Sequence, residues 1–236
     1  MNEQVAKTFT DVLFRGKKFR VKLLGDSITH GLGGTGFEQN GEPIAEGFKR
    51  NPNGYCWAKQ FKEYLESHFP CEVTNNACTG TDIQFILRNF DTLVSPDDDF
   101  ILCAIGTNNR HQRFETGERR TPEEHGKILY DNIGILHQKI KDLGIPVVFV
   151  ANTPAAAGSE QDGPDFWRIL HMPDIVEIYK RAAVAFGFPL ISIYDLFLEY
   201  CDEKGIKFES LLKDGLHPTD EGYDVIFQLY LKEFGI

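Results

Sequence analysis

Phe100-Ile101-Leu102-Cys103-Ala104 is apolar at every position, and Gly106-Thr107-Asn108-Asn109, a polar turn, follows close behind. A short run without polar alternation reads as a strand covered on both faces, and such strands belong to parallel sheets flanked by helices. Val147-Val148-Phe149-Val150 has the same character. Working outward from these two runs, the spacing predicts strands over residues 19–24, 72–75, 100–104, 146–150 and 190–193.

Amphipathic stretches lie between the strands. Residues 55–69 place Trp57, Phe61, Leu65 and His68 at helical spacing. Residues 81–89 form a shorter candidate, with Thr79 or Thr81 as cap. Thr121-Pro122-Glu123-Glu124 is a strong start signal: a capping hydroxyl, proline in the first turn, then two carboxylates. That helix runs to about Leu143, where Gly144 and Pro146 stop it. Residues 173–186 and 219–234 complete the set, the last opened by Thr219-Asp220-Glu221. Strand and helix alternate about five times with no break in composition and no internal repeat. The expectation is α/β: one domain over 1–236, a three-layer α/β/α sandwich on a five-stranded parallel sheet with right-handed crossovers.

The chain has 236 residues, 42% of them apolar, enough for a sizeable core. Its formal net charge is -10, which disfavours nucleic acid and anionic membranes as partners. Arg110, His111, Arg113, Arg119 and Arg120 form a local basic patch against that background. The five cysteines (Cys56, Cys71, Cys78, Cys103 and Cys201) are odd in number and widely spaced, which fits a reducing compartment. The opening Met1-Asn2-Glu3-Gln4 does not read as a charged-then-apolar secretory leader, so none is expected, and no run approaches the ~18 apolar residues of a membrane span. A cytoplasmic protein is expected.

Chemistry concentrates at the predicted strand ends, the edge of a parallel sheet where ligands bind. Gly25-Asp26-Ser27 ends the first strand and supplies a hydroxyl. Near the C-terminus, Asp214-Gly215-Leu216-His217-Pro218 sets a carboxylate three residues before an imidazole. A serine hydroxyl needs a base to take its proton, and that base needs an acceptor on its other nitrogen. His217 and Asp214 suit those roles for Ser27. Preorganised donors for an oxyanion are available after two other strands: the N–H of Gly80 and the side-chain amide of Asn108, joining the N–H of Ser27. Each tripeptide alone also reads as an ordinary turn. It is their joint placement that points to a serine esterase.

These blocks resemble the GDSL/SGNH hydrolase superfamily of serine esterases and acylhydrolases. Gly25-Asp26-Ser27-Ile28 matches the first block with Ser27 as nucleophile, and Gly80 matches the glycine of the second. Gly106-Thr107-Asn108-Asn109 is similar to the third, with Asn108 as the oxyanion asparagine. Asp214-Gly215-Leu216-His217-Pro218 matches the last, with Asp214 and His217 as acid and base. The resemblance covers about residues 19–235 and implies a flavodoxin-like fold, five central parallel strands and a shallow, open site. Two positions depart from the pattern: Ile28 stands where Leu is common, and Asn109 where Asp is usual, removing a charge beside the oxyanion donor.

Other signals weigh less. Gly31-Leu32-Gly33-Gly34-Thr35-Gly36 satisfies the dinucleotide pattern, but the strand ends at Leu24 and no helix opens after Gly36. No cofactor is expected. His30 lies near Ser27, yet His111, His125 and His137 form no ligand-spaced cluster, and Asp97-Asp98-Asp99 lacks the spacing of a calcium loop, so no metal is expected. The G-x-S-x-G elbow is absent.

The expected partner is a small-molecule ester, with an O-acetylated carbohydrate favoured. A short-chain acylhydrolase acting on lysophospholipid or thioester is the alternative, and an inactive binding protein of the same fold is the reading from another class. Two long loops, residues 31–53 and 152–171, carry Phe37, Phe48, Phe166 and Trp167, which could meet substrate or form local core. Asp26, Asn109, Arg110 and Trp167 are candidate substrate contacts. Oligomeric state is not readable from the sequence.

Overall fold

The computed structural model describes residues 2–14 and 17–236. Its strands are β1 (Phe19–Gly25), β2 (Cys71–Asn75), β3 (Phe100–Ala104), β4 (His111–Arg113), β5 (Val147–Ala151), β6 (Phe166–Arg168) and β7 (Leu190–Ser192). Five of them form one parallel sheet in the order β2-β1-β3-β5-β7. The all-apolar runs fall on β3 and β5, where every residue is buried. β5 starts at Val147 rather than Pro146, because proline has no N–H to donate; its carbonyl instead accepts from Ile101 N at 2.9 Å.

The helices are α1 (Glu3–Leu13), α2 (Ser27–His30), α3 (Trp57–His68), α4 (Ile83–Arg88), α5 (Phe90–Leu93), α6 (Pro122–Asp142), α7 (Met172–Phe186), α8 (Ile193–Lys204) and α9 (Asp220–Phe234). Successive strand residues point to opposite faces. Val21, Leu23, Leu102, Val148 and Val150 therefore meet α1, α3, α8 and α9 on one side. Leu24, Ile101, Cys103, Val147 and Phe149 meet α4, α5, α6 and α7 on the other. The result is the expected three-layer α/β/α sandwich.

Thr121 closes a full capping box with Glu124 at the start of α6, and Thr219 caps α9 through Gly222 N. The cap of α4 corrects the sequence reading. Asp82, not Thr79 or Thr81, accepts from Phe85 N at 2.9 Å, while the Thr81 hydroxyl donates to Cys78 O. Among the elements not expected are α1, α8, β4 and β6. α1 buries Val5, Phe9 and Val12 at helical spacing behind the cap Asn2. α8 follows β7 without a loop, capped by Ser192. β4 and β6 form an antiparallel ribbon that ties the segment after β3 to the long loop after β5. Among the described residues, no helix is long and apolar enough to cross a membrane.

Candidate active site

β1 delivers Ser27. Asp26, wholly buried, is the N-cap of α2: its Oδ1 accepts from Ile28 N at 3.0 Å and its Oδ2 from Asn152 Nδ2 at 3.0 Å. Ser27 is thereby the first residue of a helical turn, where the helix pattern leaves its own N–H without a partner. Burial pushes the Asp26 carboxyl up from its ordinary value, against hydrogen bonds from its neighbours that pull it down.

The other two groups arrive on the segment before α9. An isolated bridge between Leu212 and Pro218, with Lys213 N donating to His217 O at 2.8 Å, closes a tight loop around Asp214–His217. Within it Asp214 Oδ1 accepts from Leu216 N at 3.0 Å and His217 N at 2.8 Å. That leaves Oδ2 aimed at His217 Nδ1, 2.7 Å away. His217 Nε2 lies 2.8 Å from Ser27 Oγ. Burial raises the Asp214 carboxyl, but the His217 backbone N–H and imidazole, together with Leu216 N, outweigh it and hold the group below the ordinary carboxylate value. Residues from opposite ends of the chain thus form one hydrogen-bonded line from acid to base to hydroxyl.

The glycine-rich loop proves to be structural support for that line. Gly33 has a positive φ of 107°, and a Cβ there would meet Pro218 O at 2.5 Å and the His217 Cβ at 2.9 Å. Only glycine lets the loop press so closely on the histidine. The His30 ring holds the same loop, bonding Thr79 Oγ1 at 2.9 Å and Lys49 O at 2.9 Å, so both of its nitrogens are engaged within the protein.

Gly80 and Asn108 converge from the ends of β2 and β3. The segment after β2 runs along β1, with Cys78 N donating to Gly25 O at 3.1 Å. Gly80 itself sits at φ 73°, a left-handed conformation that leaves open space where a side chain would be. Asn108 Nδ2 donates to Thr81 O at 2.8 Å, which fixes the amide plane and leaves its second N–H free to serve an oxyanion. Both residues line a recess of about 260 Å³. None of the residues lining it is aliphatic, phenyl or indole.

Two of the four expected substrate contacts, Asp26 and Arg110, face inward, and Asn109 is buried yet also lines the recess. Asp26 caps α2. Asn109 Oδ1 accepts from Ile83 N at 3.1 Å and its Nδ2 donates to Gln84 at 2.8 Å, so the residue pins α4 to the β3 turn in place of the usual acid. Arg110 is 1% exposed; its Nε donates to Thr107 O at 2.8 Å and its Nη1 lies 3.0 Å from Glu160 Oε1. Burial pulls the Arg110 guanidinium down while Glu160 pushes it up. Trp167, the fourth, is half-buried on β6 against Phe114, with ring centres 4.8 Å apart, and does not line the recess. Phe37, Phe48 and Phe166 likewise pack on His30, Phe85 and His111. The basic patch is divided in the same way: Arg113 pairs with Asp165 at 3.5 Å and Arg119 with Asp162 at 3.3 Å.

Two supporting residues were not expected from the sequence. Asn152, at the end of β5, bridges Asp26 Oδ2 and Thr107 Oγ1, the latter at 2.9 Å, and so joins the nucleophile turn to the asparagine turn. Ser159 Oγ at 3.0 Å and Ala156 N at 2.7 Å both donate to Gly215 O, strapping the loop after β5 onto the acid–base segment. A polar residue directly after an apolar run was the only signal for Asn152, and Ser159 had none.

The parallel α/β sandwich thus holds a hydroxyl, an imidazole and a carboxylate in line at the carboxyl edge of its sheet. The chain belongs to the GDSL-like lipase/acylhydrolase family, whose model matches residues 23–225, and it is a carboxylic ester hydrolase. Among solved structures it is similar to LAE5, an alpha/beta hydrolase enzyme from the metagenome of Lake Arreo, Spain, at 20% identity, TM-score 0.66, covering 93% of this chain and 95% of that one. It is also similar to the lipase/acylhydrolase from Enterococcus faecalis, at 19% identity, TM-score 0.63 and coverage of 91% and 94%. A third is Axe2, an acetylxylan esterase from Geobacillus stearothermophilus, at 18% identity, TM-score 0.67 and coverage of 95% and 96%. At these identities the likeness is one of fold. No curated protein matches the sequence.

Proposed function

We propose that the chain is a serine esterase that removes short acyl groups through an acyl-enzyme, with O-acetyl groups on a carbohydrate as its substrates. His217 Nε2 takes the Ser27 proton as Oγ attacks the ester carbonyl. The oxygen of the tetrahedral intermediate rests on the N–H groups of Ser27 and Gly80 and the Asn108 amide. His217 then gives its proton to the departing alcohol as the C–O bond breaks. Water, deprotonated by the same imidazole, attacks the acyl-enzyme, and the acid leaves as the proton returns to Ser27 Oγ. Asp214 keeps the Nδ1–H tautomer and steadies the imidazolium.

The observation that carries this reading is the unbroken line of 2.8 and 2.7 Å from Ser27 through His217 to Asp214. The preference for small polar esters is supported by the recess beside Gly80 and Asn108. Its wall has no hydrocarbon side chain to cover a fatty chain, and each buried methylene needs such cover to gain its ~0.8 kcal/mol. The similarity in fold to an acetylxylan esterase points the same way. The five free, buried thiols fit a reducing compartment, and we assign the enzyme to the cytoplasm on that basis.

Rates on the p-nitrophenyl esters of acetate, butyrate and octanoate test the substrate class. The expected kcat/KM falls from acetate to octanoate, with acetate released from acetylated xylo-oligosaccharides. A rise along the series would favour the lysophospholipid or thioester acylhydrolase instead.

A further inference from the structure

The recess that Gly80 and Asn108 line continues onto a wall of charged and polar groups, including His111, Arg113, Arg120 and His125. Of the arginines in the segment after β3, Arg120 alone has no carboxylate within ion-pair distance among the described residues. It is half-buried and held in place from two sides. Its backbone N–H donates to Gln112 Oε1 at 2.9 Å, and its Nη1 lies 3.4 Å from His125 Nδ1. His125 Nε2 sits 2.9 Å from Asn109 O, a carbonyl that can only accept, so Nε2 carries the proton and Nδ1 is the lone pair facing Arg120. That single contact leaves most of the five guanidinium N–H donors uncommitted.

His111 stands on the same wall. Its Nδ1 is buried and has no hydrogen-bond partner among the described residues. Buried polar atoms in native proteins are seldom left so. Burial, then the nearby Arg168, Arg110 and Arg113, press its imidazole down to about 4, so the ring is neutral and the field around it is positive. The one acid on the lining is Asp82, whose carboxylate is engaged in capping α4. A positive recess on a protein of net charge -10 is a local reversal that solubility does not require.

From this placement we infer that the recess is a specificity subsite for an anionic group, a carboxylate or a phosphate, carried by the ester substrate and received by Arg120 with Arg113 beside it. The inference rests on the esterase reading above and narrows it: the acylated molecule is an acidic one, such as an acid sugar or a sugar phosphate. The recess also has Gly80 and Asn108 on its lining, so an anion held at Arg120 leaves those donors to the oxyanion and positions the ester for Ser27 rather than merely attracting it.

Two matched ester pairs test this with the full chain. p-Nitrophenyl hydrogen succinate against p-nitrophenyl valerate places the anion on the acyl side, and 4-acetoxybenzoate against 4-acetoxybenzamide places it on the alcohol side. Rates are normalised to alkaline hydrolysis, and binding of the same four compounds to Ser27→Ala is measured by calorimetry. For at least one pair, the anionic member is expected to have roughly ten- to hundredfold higher kcat/KM and tighter binding, the range of one charge-assisted hydrogen bond. The preference should shrink in 0.5 M salt and collapse toward unity in Arg120→Gln, with Arg113→Gln moving it the same way. Arg119→Gln, outside the recess, should keep it. Equal treatment of both members of both pairs, or a preference that survives Arg120→Gln, would overturn the inference. If no ester is turned over, the esterase reading fails, and the subsite is judged by the calorimetry alone.

Discussion

Ser27→Ala and His217→Ala are each expected to lower kcat on p-nitrophenyl acetate by about 10⁶-fold, and the double variant by no more than either alone. The reason is that the two side chains act as one unit. Without His217 the Ser27 hydroxyl stays protonated and is a poor nucleophile. Without Ser27 the imidazole has nothing to activate but water held in no particular place. Asp214→Asn should cost less, about 10⁴-fold, because it leaves the base in place and loses the right tautomer. Ser27 is buried, and alanine fits its space, so the circular dichroism and melting temperature of Ser27→Ala should match the wild type. Losses that multiply in the double variant would mean that the two residues serve separate steps, and the shared line would be wrong.

The second large effect is on stability. Glu160 is 12% exposed and lies among three basic side chains: Arg110 Nη1 at 3.0 Å, Arg168 Nε at 4.0 Å and His171 Nδ1 at 3.3 Å. It also accepts from Met172 N at 3.0 Å, at the start of α7. Both guanidiniums are buried, with side-chain exposures of 1% and 7%. Burial pulls the Arg168 group down to about 10. Glu160→Gln keeps the shape and removes the one negative charge these arginines share. Removing one partner of a buried ion pair costs about 3–5 kcal/mol, since the other charge stays out of water without compensation. For a domain of this size that is a fall in Tm of about 6–20 °C by thermal denaturation. Activity should fall as well, because Glu160 anchors the strap whose Ala156 and Ser159 hold Gly215 beside Asp214. A Tm within about 1 °C of wild type would show that the cluster is solvated and contributes little.

Much of this was legible in the order of residues. Runs without polar alternation located β3 and β5, and Thr121 and Thr219 announced α6 and α9. Ser27, Gly80 and Asn108 could be singled out because each follows a strand, and a parallel sheet brings its strand ends to one edge; Asp214 and His217 follow no strand and were singled out by their three-residue spacing. What escaped depends on contacts between distant segments. The strands β4 and β6 have three residues each and exist through pairing with one another, so neither shows a period of its own. Charge was misleading for the same reason. Arg110 reads as a surface cation until Glu160, fifty residues later, folds over it. Asp26 and Asn109 look like polar loop residues, yet their partners (Asn152 for one, Ile83 and Gln84 for the other) turn them inward. α1 and α8 were legible in principle: Val5, Phe9 and Val12 carry the helical spacing behind Asn2, and Ser192 stands as a cap, but both segments adjoin stronger signals.

The most direct test of the central claim is covalent. A fluorophosphonate ester mixed with the native chain should form one phosphorus–oxygen bond with the loss of fluoride. Intact mass should rise by a single adduct, peptide mapping should put it on Ser27, and hydrolysis of p-nitrophenyl acetate should disappear in step with labelling. Ser27→Ala should take up none. An adduct on another residue with Ser27 unmodified, or full esterase activity in a completely labelled or Ser27→Ala protein, would contradict the account.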